Sequence, residues 1–458
     1  MPPENTAADR PRETPKAKGT TPAANRAPPG PRGLPLIGNT HQWIRDPIEF
    51  KVRCADYGRV VNYDILGTDA YMLTDPDDVE RVLVTEGDRF PKHEGSNEQL
   101  RESLGDGLVT SEGDLWERQR EAIQPAFYMD HIKRYADIMV DRTAARTTEW
   151  GDGDVRAMKS EMMRLTMEIL AEAMFGSDLD LAARGIFDAA ETLREPLRPR
   201  NQPVTFLAPD WLPVPMLRRA ERARDHVESV IYDIVDERRA SDTDRDDLLS
   251  MLLDSETAMD DEQIRDEMFT FLFAGHETTA VTLTFTLDLL TRNPSAAARL
   301  REEVDAVVDG RPEMTDVFEF EYVEAAVKEA MRLYPVAHEI RREPVEDVTF
   351  GDYRVPEGAL VVLPSSVLHR DGRFWDAPDE FRPERWLGDR DRPEFAYFPF
   401  GGGKRRCIGQ QFAMTEAQLI LATLCSEFEF ERRYDDLDLS ASVTLQPKGD
   451  VAMTVRER

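Results

Sequence analysis

The most informative stretch of this chain reads Phe400-Gly401-Gly402-Gly403-Lys404-Arg405-Arg406-Cys407-Ile408-Gly409. Three consecutive glycines permit backbone conformations that are closed to other residues and let a chain approach a large flat ligand. We expect Cys407 to open a helix that runs to about Cys425. A sulfur at a helix N-terminus, next to three cations, lies where the thiolate form is favoured.

Two ordinary interpretations compete for this loop. The first is a buried cysteine beside a glycine-rich turn, and we apply it to Cys54 and Cys425, which lack such surroundings. The second is a phosphate-binding loop, which fails because the spacing Gly-x-x-x-x-Gly-Lys-Ser/Thr is absent.

A second segment with chemical content lies upstream, in an apolar region that predicts a helix from about Asp260 to Thr291. Its middle reads Ala274-Gly275-His276-Glu277-Thr278-Thr279. An ionisable Glu in a buried helix is costly unless it has a partner or a function. A zinc protease is excluded because position 280, where a second His would stand, is Ala280. The hydroxyls could instead bond back to helix carbonyls while Glu277 pairs with a cation, and the residues alone leave that alternative open.

The rest of the chain predicts a mainly α protein with minor β sheets. Strands are expected at 60–63 and 70–73, helices dominate 111–311 with breaks near 151–153 and 211–215, and short strands are expected within 345–366. Residues 1–27 have almost no large apolar side chains, which predicts a disordered tail. A length of 458 residues suggests two or three domains, although one large cofactor-centred domain reaches this size.

The composition is strongly acidic, with a net charge of −31. Only nine of the cations are Lys, and an acidic, Lys-poor surface suits concentrated salt, so we infer a halophilic source. The charge disfavours nucleic-acid binding. Three cysteines cannot form a disulfide framework, and no membrane-spanning or signal segment is evident, so we expect a cytoplasmic protein.

The cysteine loop resembles that of the cytochrome P-450 family, whose pattern Phe-x-x-Gly-x-Arg-x-Cys-x-Gly matches at five positions: Phe400, Gly403, Arg405, Cys407 and Gly409. The segment 274–279 resembles the acid–alcohol signature of the same family. The resemblance implies one heme-centred domain at 28–458 with the mainly α, partly β (α+β) cytochrome P-450 fold. It also implies heme b (iron protoporphyrin IX), with Cys407 as the axial ligand of the iron.

The resemblance assigns roles to further residues. The cofactor-binding set is Trp116, Arg120, Arg342, Phe400, Gly403, Arg405 and Gly409. Glu277 and Thr278 are implied to supply protons for the activation of dioxygen. A structural network is implied at Glu329, Arg332 and Arg385, and a substrate pocket at Val109, Ala274 and Ala337. His338 stands where relatives often have Pro, which alters the pocket wall next to Ala337.

The function implied is a monooxygenase that inserts one atom of dioxygen into an apolar substrate such as a lipid, fatty acid or terpenoid. Electrons are expected from a separate partner such as a ferredoxin. Local strings such as Leu368-His369-Arg370-Asp371 are most similar to bacterial fatty-acid hydroxylases and microsomal members, and we expect a halophilic archaeal source. A peroxygenase or isomerase with a heme-thiolate, or a non-catalytic heme sensor, are the alternatives.

Overall fold

The computed structural model describes residues 27–176, 184–198, 200–201, 204–205, 213–241, 247–253, 259–388 and 391–458. The predicted tail, apart from residue 27, lies outside the described residues, as does part of the predicted break at 211–215.

Helices dominate the described part of the chain, as the sequence predicts. Their bounds are Thr40–Arg45, Pro47–Ala55, Pro76–Glu80, Glu94–Leu104, Gly113–Ile123, Met129–Thr147, Met158–Phe175, Ile186–Arg194, Pro215–Ala240, Leu248–Leu253, Asp261–Arg292, Pro294–Val307, Tyr322–Leu333, Ser365–Leu368 and Gln410–Glu427.

The strands are short and form small sheets. Their bounds are β1 Val60–Ile65, β2 Thr68–Leu73, β3 Val155–Ala157, β4 Ile340–Arg342, β5 Val348–Phe350, β6 Tyr353–Val355, β7 Leu360–Leu363, β8 Phe428–Arg432, β9 Leu439–Ala441, β10 Leu445–Pro447 and β11 Ala452–Glu457. The sheet orders are β1-β2-β7-β4, β3-β11-β8, β5-β6 and β10-β9. The architecture is therefore mainly α with minor β sheets.

The first hairpin confirms the predicted strands and extends them. β1 pairs with β2 in antiparallel register from Val60 opposite Leu73 to Ile65 opposite Thr68. The two connecting residues, Leu66 and Gly67, both have positive φ, at 55° and 83°. Such a two-residue turn matches the twist of the paired strands.

The helix Asp261–Arg292, called the long helix below, forms the centre of the fold and confirms the predicted span. The Asp260 side chain caps its first turn by accepting the Gln263 N–H at 2.9 Å, and the chain leaves the helix before Pro294. The long helix is buried on almost every side and packs against the helices Met158–Phe175, Tyr322–Leu333 and Gln410–Glu427.

Two features differ from the sequence prediction. The C-terminal helix begins at Gln410, not at Cys407, because the Cys407 N–H donates to the Phe400 carbonyl at 2.9 Å and holds the cysteine in the loop. The C-terminal strands β8 to β11 were not predicted. They are three to six residues long, too short to show a clear period of two.

Candidate active site

Cys407 faces the interior cavity of the fold. A cavity of about 410 Å³ lies between the long helix and the cysteine loop, and Cys407 lines it. The side chain is accessible through this cavity, whereas Cys54 and Cys425 are buried and are not among its lining residues. Cys407 is thus the cysteine that a ligand in the cavity would meet.

The surroundings of the Cys407 sulfur act on its pKa in opposite directions. Burial raises the pKa of the thiol, and this effect is the largest. The Gly409 N–H and the guanidinium groups of Arg120 and Arg406 lower it. The protein alone therefore does not hold the thiolate that we expected from the sequence, and a bound metal ion would have to supply the rest of the stabilisation.

The glycines of the cysteine loop are required by neighbouring protein groups. A Cβ on Gly403 would lie 2.0 Å from the Leu83 carbonyl oxygen, and one on Gly402 would lie 2.6 Å from the Phe395 ring. Gly401 and Gly403 also have positive φ, at 70° and 64°. Gly403 is not among the residues that line the cavity, and its predicted role at the cofactor stays a prediction.

Cations gather at one wall of the cavity. Trp116, Arg120, Arg342 and Arg405 all line it, as do Phe400 and Gly409. Arg405 pairs with Glu112 and lies over the Trp116 ring, 5.6 Å from its centroid, while Arg120 donates to the Arg406 carbonyl at 3.0 Å. Burial and the charge of Arg405 lower the pKa of Arg342 to about 10.

Lys92 belongs to the same wall and was missed by sequence analysis. It lines the cavity, and its Nζ donates to the Ser111 carbonyl at 2.6 Å. Burial lowers its pKa to about 7, and the charges of Arg342 and Arg405 act in the same direction, against Glu112. The sequence offers one sign of its role, since Lys is rare in this chain. Its partners are distant in sequence, however, so the local pattern does not place Lys92 in the cavity wall.

The acid and the alcohol of the long helix face different surroundings. Ala274, Gly275, Thr278 and Thr279 line the cavity, but Glu277 does not. Thr278 Oγ1 donates to the Ala274 carbonyl at 3.0 Å, which leaves its lone pairs free to accept. Thr278 thus lines the cavity and Glu277 does not, and their predicted supply of protons to dioxygen stays a prediction.

Glu277 lies instead against the hairpin of β9 and β10, called the C-terminal hairpin below. Its Oε1 accepts from Thr444 Oγ1 at 3.1 Å and from Gln446 Nε2 at 3.2 Å, and its Oε2 lies 3.0 Å from Arg194 Nη2. Burial raises the pKa of Glu277, and Arg194 opposes this shift. Glu277 is therefore a paired, buried acid, as the alternative interpretation of this segment anticipated.

Apolar side chains form most of the cavity wall above the long helix. Those that line it on this side are Leu108, Val109, Leu170, Met174, Phe271, Ala274, Val336, Ala337 and Ile340. His338 is not among the lining residues: its ring nitrogens contact Lys51 Nζ and the Ser442 carbonyl, each at 2.8 Å. The replacement of Pro by His at this position is therefore accommodated away from the cavity.

The predicted structural network of Glu329, Arg332 and Arg385 forms around Glu329, which is fully buried. Arg332 donates to both of its oxygens at 2.9 and 2.8 Å, and Arg385 Nε donates at 2.8 Å. Trp386 Nε1 and the Arg382 N–H add two more hydrogen bonds, at 2.9 and 3.0 Å. Glu329 and Arg332 have no exposed side-chain surface.

These groups fit a flat, dianionic prosthetic group with an axial sulfur ligand. The buried Nε of Arg405 has no hydrogen-bond partner in the described structure, and Glu112 is the carboxylate that pairs with both Arg405 and Lys92 at this wall. Such a wall needs added anions, which the two propionates of a heme would supply. The site defines a heme-thiolate protein.

The chain belongs to the cytochrome P-450 family, whose model matches residues 28–452. The family uses heme b with thiolate ligation, and the fold is the cytochrome P-450 fold in a single domain. The protein is an oxidoreductase that incorporates oxygen, a cytochrome P-450 monooxygenase.

Three relatives are similar over most of their length. Cyclooctat-9-en-7-ol 5-monooxygenase of Streptomyces melanosporofaciens is 33% identical, over 89% of this chain and 92% of the relative. Cyclooctatin synthase of the same organism is 36% identical, over 87% and 88%. Pentalenene oxygenase of Streptomyces avermitilis is 34% identical, over 92% of each.

The comparisons do not support two finer predictions. The relatives are terpenoid oxygenases, so the predicted likeness to fatty-acid hydroxylases is not supported, and neither is a halophilic archaeal source. Among the described residues, no helix is both long and apolar enough to cross a membrane.

Proposed function

We propose that this monooxygenase hydroxylates an apolar cyclic substrate of the terpenoid class, with heme b held by Cys407. The apolar wall above Cys407 carries this proposal, because apolar ligands gain free energy by leaving water for such a surface. The names of the relatives support the same substrate class. When bound, the heme supplies the redox chemistry that puts one oxygen atom of dioxygen into a C–H bond and the other into water.

Each group of the chain then has a distinct task. Trp116, Arg120, Arg342 and Arg405, joined by Lys92, hold the propionates at the cationic wall. Leu108, Val109 and Ala337 orient the substrate and exclude water from it. Electrons come from a separate protein of the ferredoxin type, and the enzyme works in the cytoplasm.

Thr278 handles protons at the cavity surface. Its Oγ1 is the hydroxyl of the acid–alcohol pair that faces the cavity, and rotation about the Cβ–Oγ1 bond lets it donate or accept a hydrogen bond there. Glu277 lies on another side of the helix, where it contacts Thr444 and Arg194. Positioned proton transfer contributes about 10²–10⁴-fold in rate, so its loss should be visible in the fate of the electrons.

The test of this proposal has two stages. A screen of terpenoids, fatty acids and other lipids for a shift of the heme absorption band should favour cyclic terpenoids, and a response confined to fatty acids would contradict the substrate class. With the responding substrate, Thr278→Ala should consume oxygen but form less product and more hydrogen peroxide. Thr284→Ala is the matched control, because Thr284 makes the same bond to a helix carbonyl, 2.7 Å to Ala280, away from the cavity. Equal product per electron in the parent and Thr278→Ala would refute the role of Thr278.

A further inference from the structure

The segment Gly105–Ser111, called the wall loop, carries two of the apolar side chains that border the cavity. Leu108 is buried, whereas Val109 is 40% exposed and lies at the cavity surface. The wall loop is irregular between the helices Glu94–Leu104 and Gly113–Ile123. Within the loop the Thr110 and Ser111 N–H groups both donate to the Gly107 carbonyl at 2.9 Å, so contacts from outside the loop set where it lies against the long helix.

Two adjacent carboxylates of the long helix hold the N–H groups of the wall loop. The Asp106 N–H donates to Asp266 Oδ2 at 2.7 Å, and the Leu108 N–H donates to Glu267 Oε2 at 3.0 Å. Asp266 is 6% exposed and Glu267 is 0% exposed. The bonds span about 160 residues of sequence, so they join two distant parts of the chain at the cavity.

The wall loop lies so close to the helix that glycine is needed at two positions. A Cβ on Gly105 would lie 2.2 Å from the Asp266 carboxyl carbon, and Gly105 also has a φ of 72°. A Cβ on Gly107 would lie 2.1 Å from Thr270 Oγ1 and 2.6 Å from the Asp266 carbonyl oxygen. The contact between loop and helix is therefore tight and leaves no room for another side chain.

The two carboxylates differ in how their charge is balanced. Asp266 pairs with Arg265, whose Nε and Nη2 lie 2.8 and 2.6 Å from Oδ1. Glu267 Oε1 has no hydrogen-bond partner in the described structure. Burial raises the pKa of Glu267 to about 8; Asp266 adds to this shift, while the Leu108 N–H and Lys92 oppose it. Burying a carboxyl oxygen without a hydrogen-bond partner costs free energy, so a role that only fills space does not account for Glu267.

We propose that Asp266 and Glu267 are positioning residues that fix the wall loop and thereby set the shape of the cavity that Cys407 lines. The inference rests on the proposed function in one respect: the cavity is taken to hold the substrate. Since Leu108 and Val109 move with the loop, the two carboxylates determine which bulky molecules fit and which carbon of the substrate is presented for oxidation. Of the two carboxylates, Glu267 has the larger effect on the loop, because it accepts from the N–H of Leu108, the residue next to Val109.

The experiment uses the heme-loaded full chain and needs no turnover. In Glu267→Leu, hydrogen exchange of the peptide amides at 106 and 108 should become about tenfold faster, the factor expected when a hydrogen bond to a buried acceptor is lost. Glu267→Gln keeps a carbonyl oxygen for the Leu108 N–H and should stay within about threefold of the parent. Glu262→Gln is the matched control on the same helix, since its side chain is 75% exposed.

Cavity shape is tested with two azoles that bind at heme iron, the small imidazole and the bulky clotrimazole. Glu267→Leu should change the clotrimazole dissociation constant by about fivefold or more and that of imidazole by less than about twofold, because only the bulky probe reaches the wall loop. Gly107→Ala, which displaces the loop and keeps both carboxylates, should reproduce this selectivity even if Glu267→Leu does not fold.

Unchanged amide exchange in Glu267→Leu would overturn the anchoring role. The proposed effect on cavity shape would be overturned if the dissociation constants of both azoles changed equally in Glu267→Leu and Gly107→Ala, or did not change at all. If no terpenoid is oxidised, the proposed function fails, but the exchange and azole results still decide this inference.

Discussion

Replacing Glu329 by alanine should destabilise the folded heme protein more than almost any other single loss of a carboxylate. Glu329 and Arg332 have no exposed side-chain surface, and Arg385 is 11% exposed. Removal of one partner from a buried ion pair costs about 3–5 kcal/mol, because the remaining charge is left without compensation in the interior. The Trp386 Nε1–H would also lose its acceptor. We therefore expect a loss of at least about 4 kcal/mol, against a usual total stability of about 5–15 kcal/mol.

A matched control lies on the same helix. Glu324 pairs with Lys328 at 2.6 Å, four residues apart, and is 41% exposed. Exposed pairs of this kind contribute about 0.3–0.5 kcal/mol, so Glu324→Ala should stay within about 1 kcal/mol of the parent. Glu329→Gln, which keeps one acceptor oxygen but removes the charge, should fall between the two alanine variants.

The assay is denaturant unfolding of the heme-loaded enzyme, followed by far-ultraviolet circular dichroism and by the heme absorption band. Coincident transitions in the two signals justify a single free energy of unfolding. If Glu329→Ala and Glu324→Ala unfold with free energies within about 1 kcal/mol of each other, the argument from the buried charge is refuted.

Three further predictions concern the sulfur, a buried acid and the surface beside the cysteine loop. Cys407→His should abolish the red-shifted carbon-monoxide band of a thiolate-bound ferrous heme, whereas Cys425→Ser should keep it; loss of the band in the Cys425 variant alone would contradict the ligand assignment. Burial raises the pKa of Glu416 to about 8. Between the usual pKa of a Glu and pH 8, the folded state keeps a proton that the unfolded state releases. The free energy of unfolding therefore falls as the pH rises, by up to about 1.4 kcal/mol per pH unit. Glu416→Gln should therefore gain stability relative to the parent between pH 5 and 8, and parallel stability curves would argue against the shift. Lys404 and Arg406 lie beside the cysteine loop, where positive charge attracts an acidic ferredoxin, but Lys404 lies against Asp88 and 3.8 Å from Glu117, which partly neutralise it. Arg406→Gln should then slow reduction by ferredoxin more than Lys404→Gln does, with reduction by dithionite unchanged in stopped-flow traces; equal slowing with both reductants would exclude a docking effect.

Much of the fold was predictable because its signals are local. The apolar run between Asp260 and Pro294 indicated the long helix within about one residue at each end, since a capping acid and a proline mark its limits. The hairpin at 60–73 was visible from its β-branched strands and the turn at Gly67. The strands β8 to β11 were not, because they are three to six residues long, too short to show a clear period of two.

Contacts at long range also decided features that local patterns cannot show. Lys92 belongs to the cationic wall because its Nζ donates to the Ser111 carbonyl. Position 403 requires glycine because a Cβ there would lie 2.0 Å from the Leu83 carbonyl oxygen, about 320 residues earlier in the chain. The anchoring of the wall loop by Glu267 has the same origin. In each case the residue type is common, and its meaning depends on the neighbour that folding brings to it.

The residues around Cys407 were enough to single out the cysteine that lines the cavity, and the apolar pattern around 274–279 was enough to put an acid and an alcohol next to each other on a buried helix. That Thr278 faces the cavity, while Glu277 faces the C-terminal hairpin of β9 and β10, follows from tertiary packing and not from the local pattern. Successive residues of an α-helix project about 100° apart, so neighbours in sequence do not share a face. Which of the two directions leads to the cavity depends on the elements packed around the helix, and those come from distant parts of the chain.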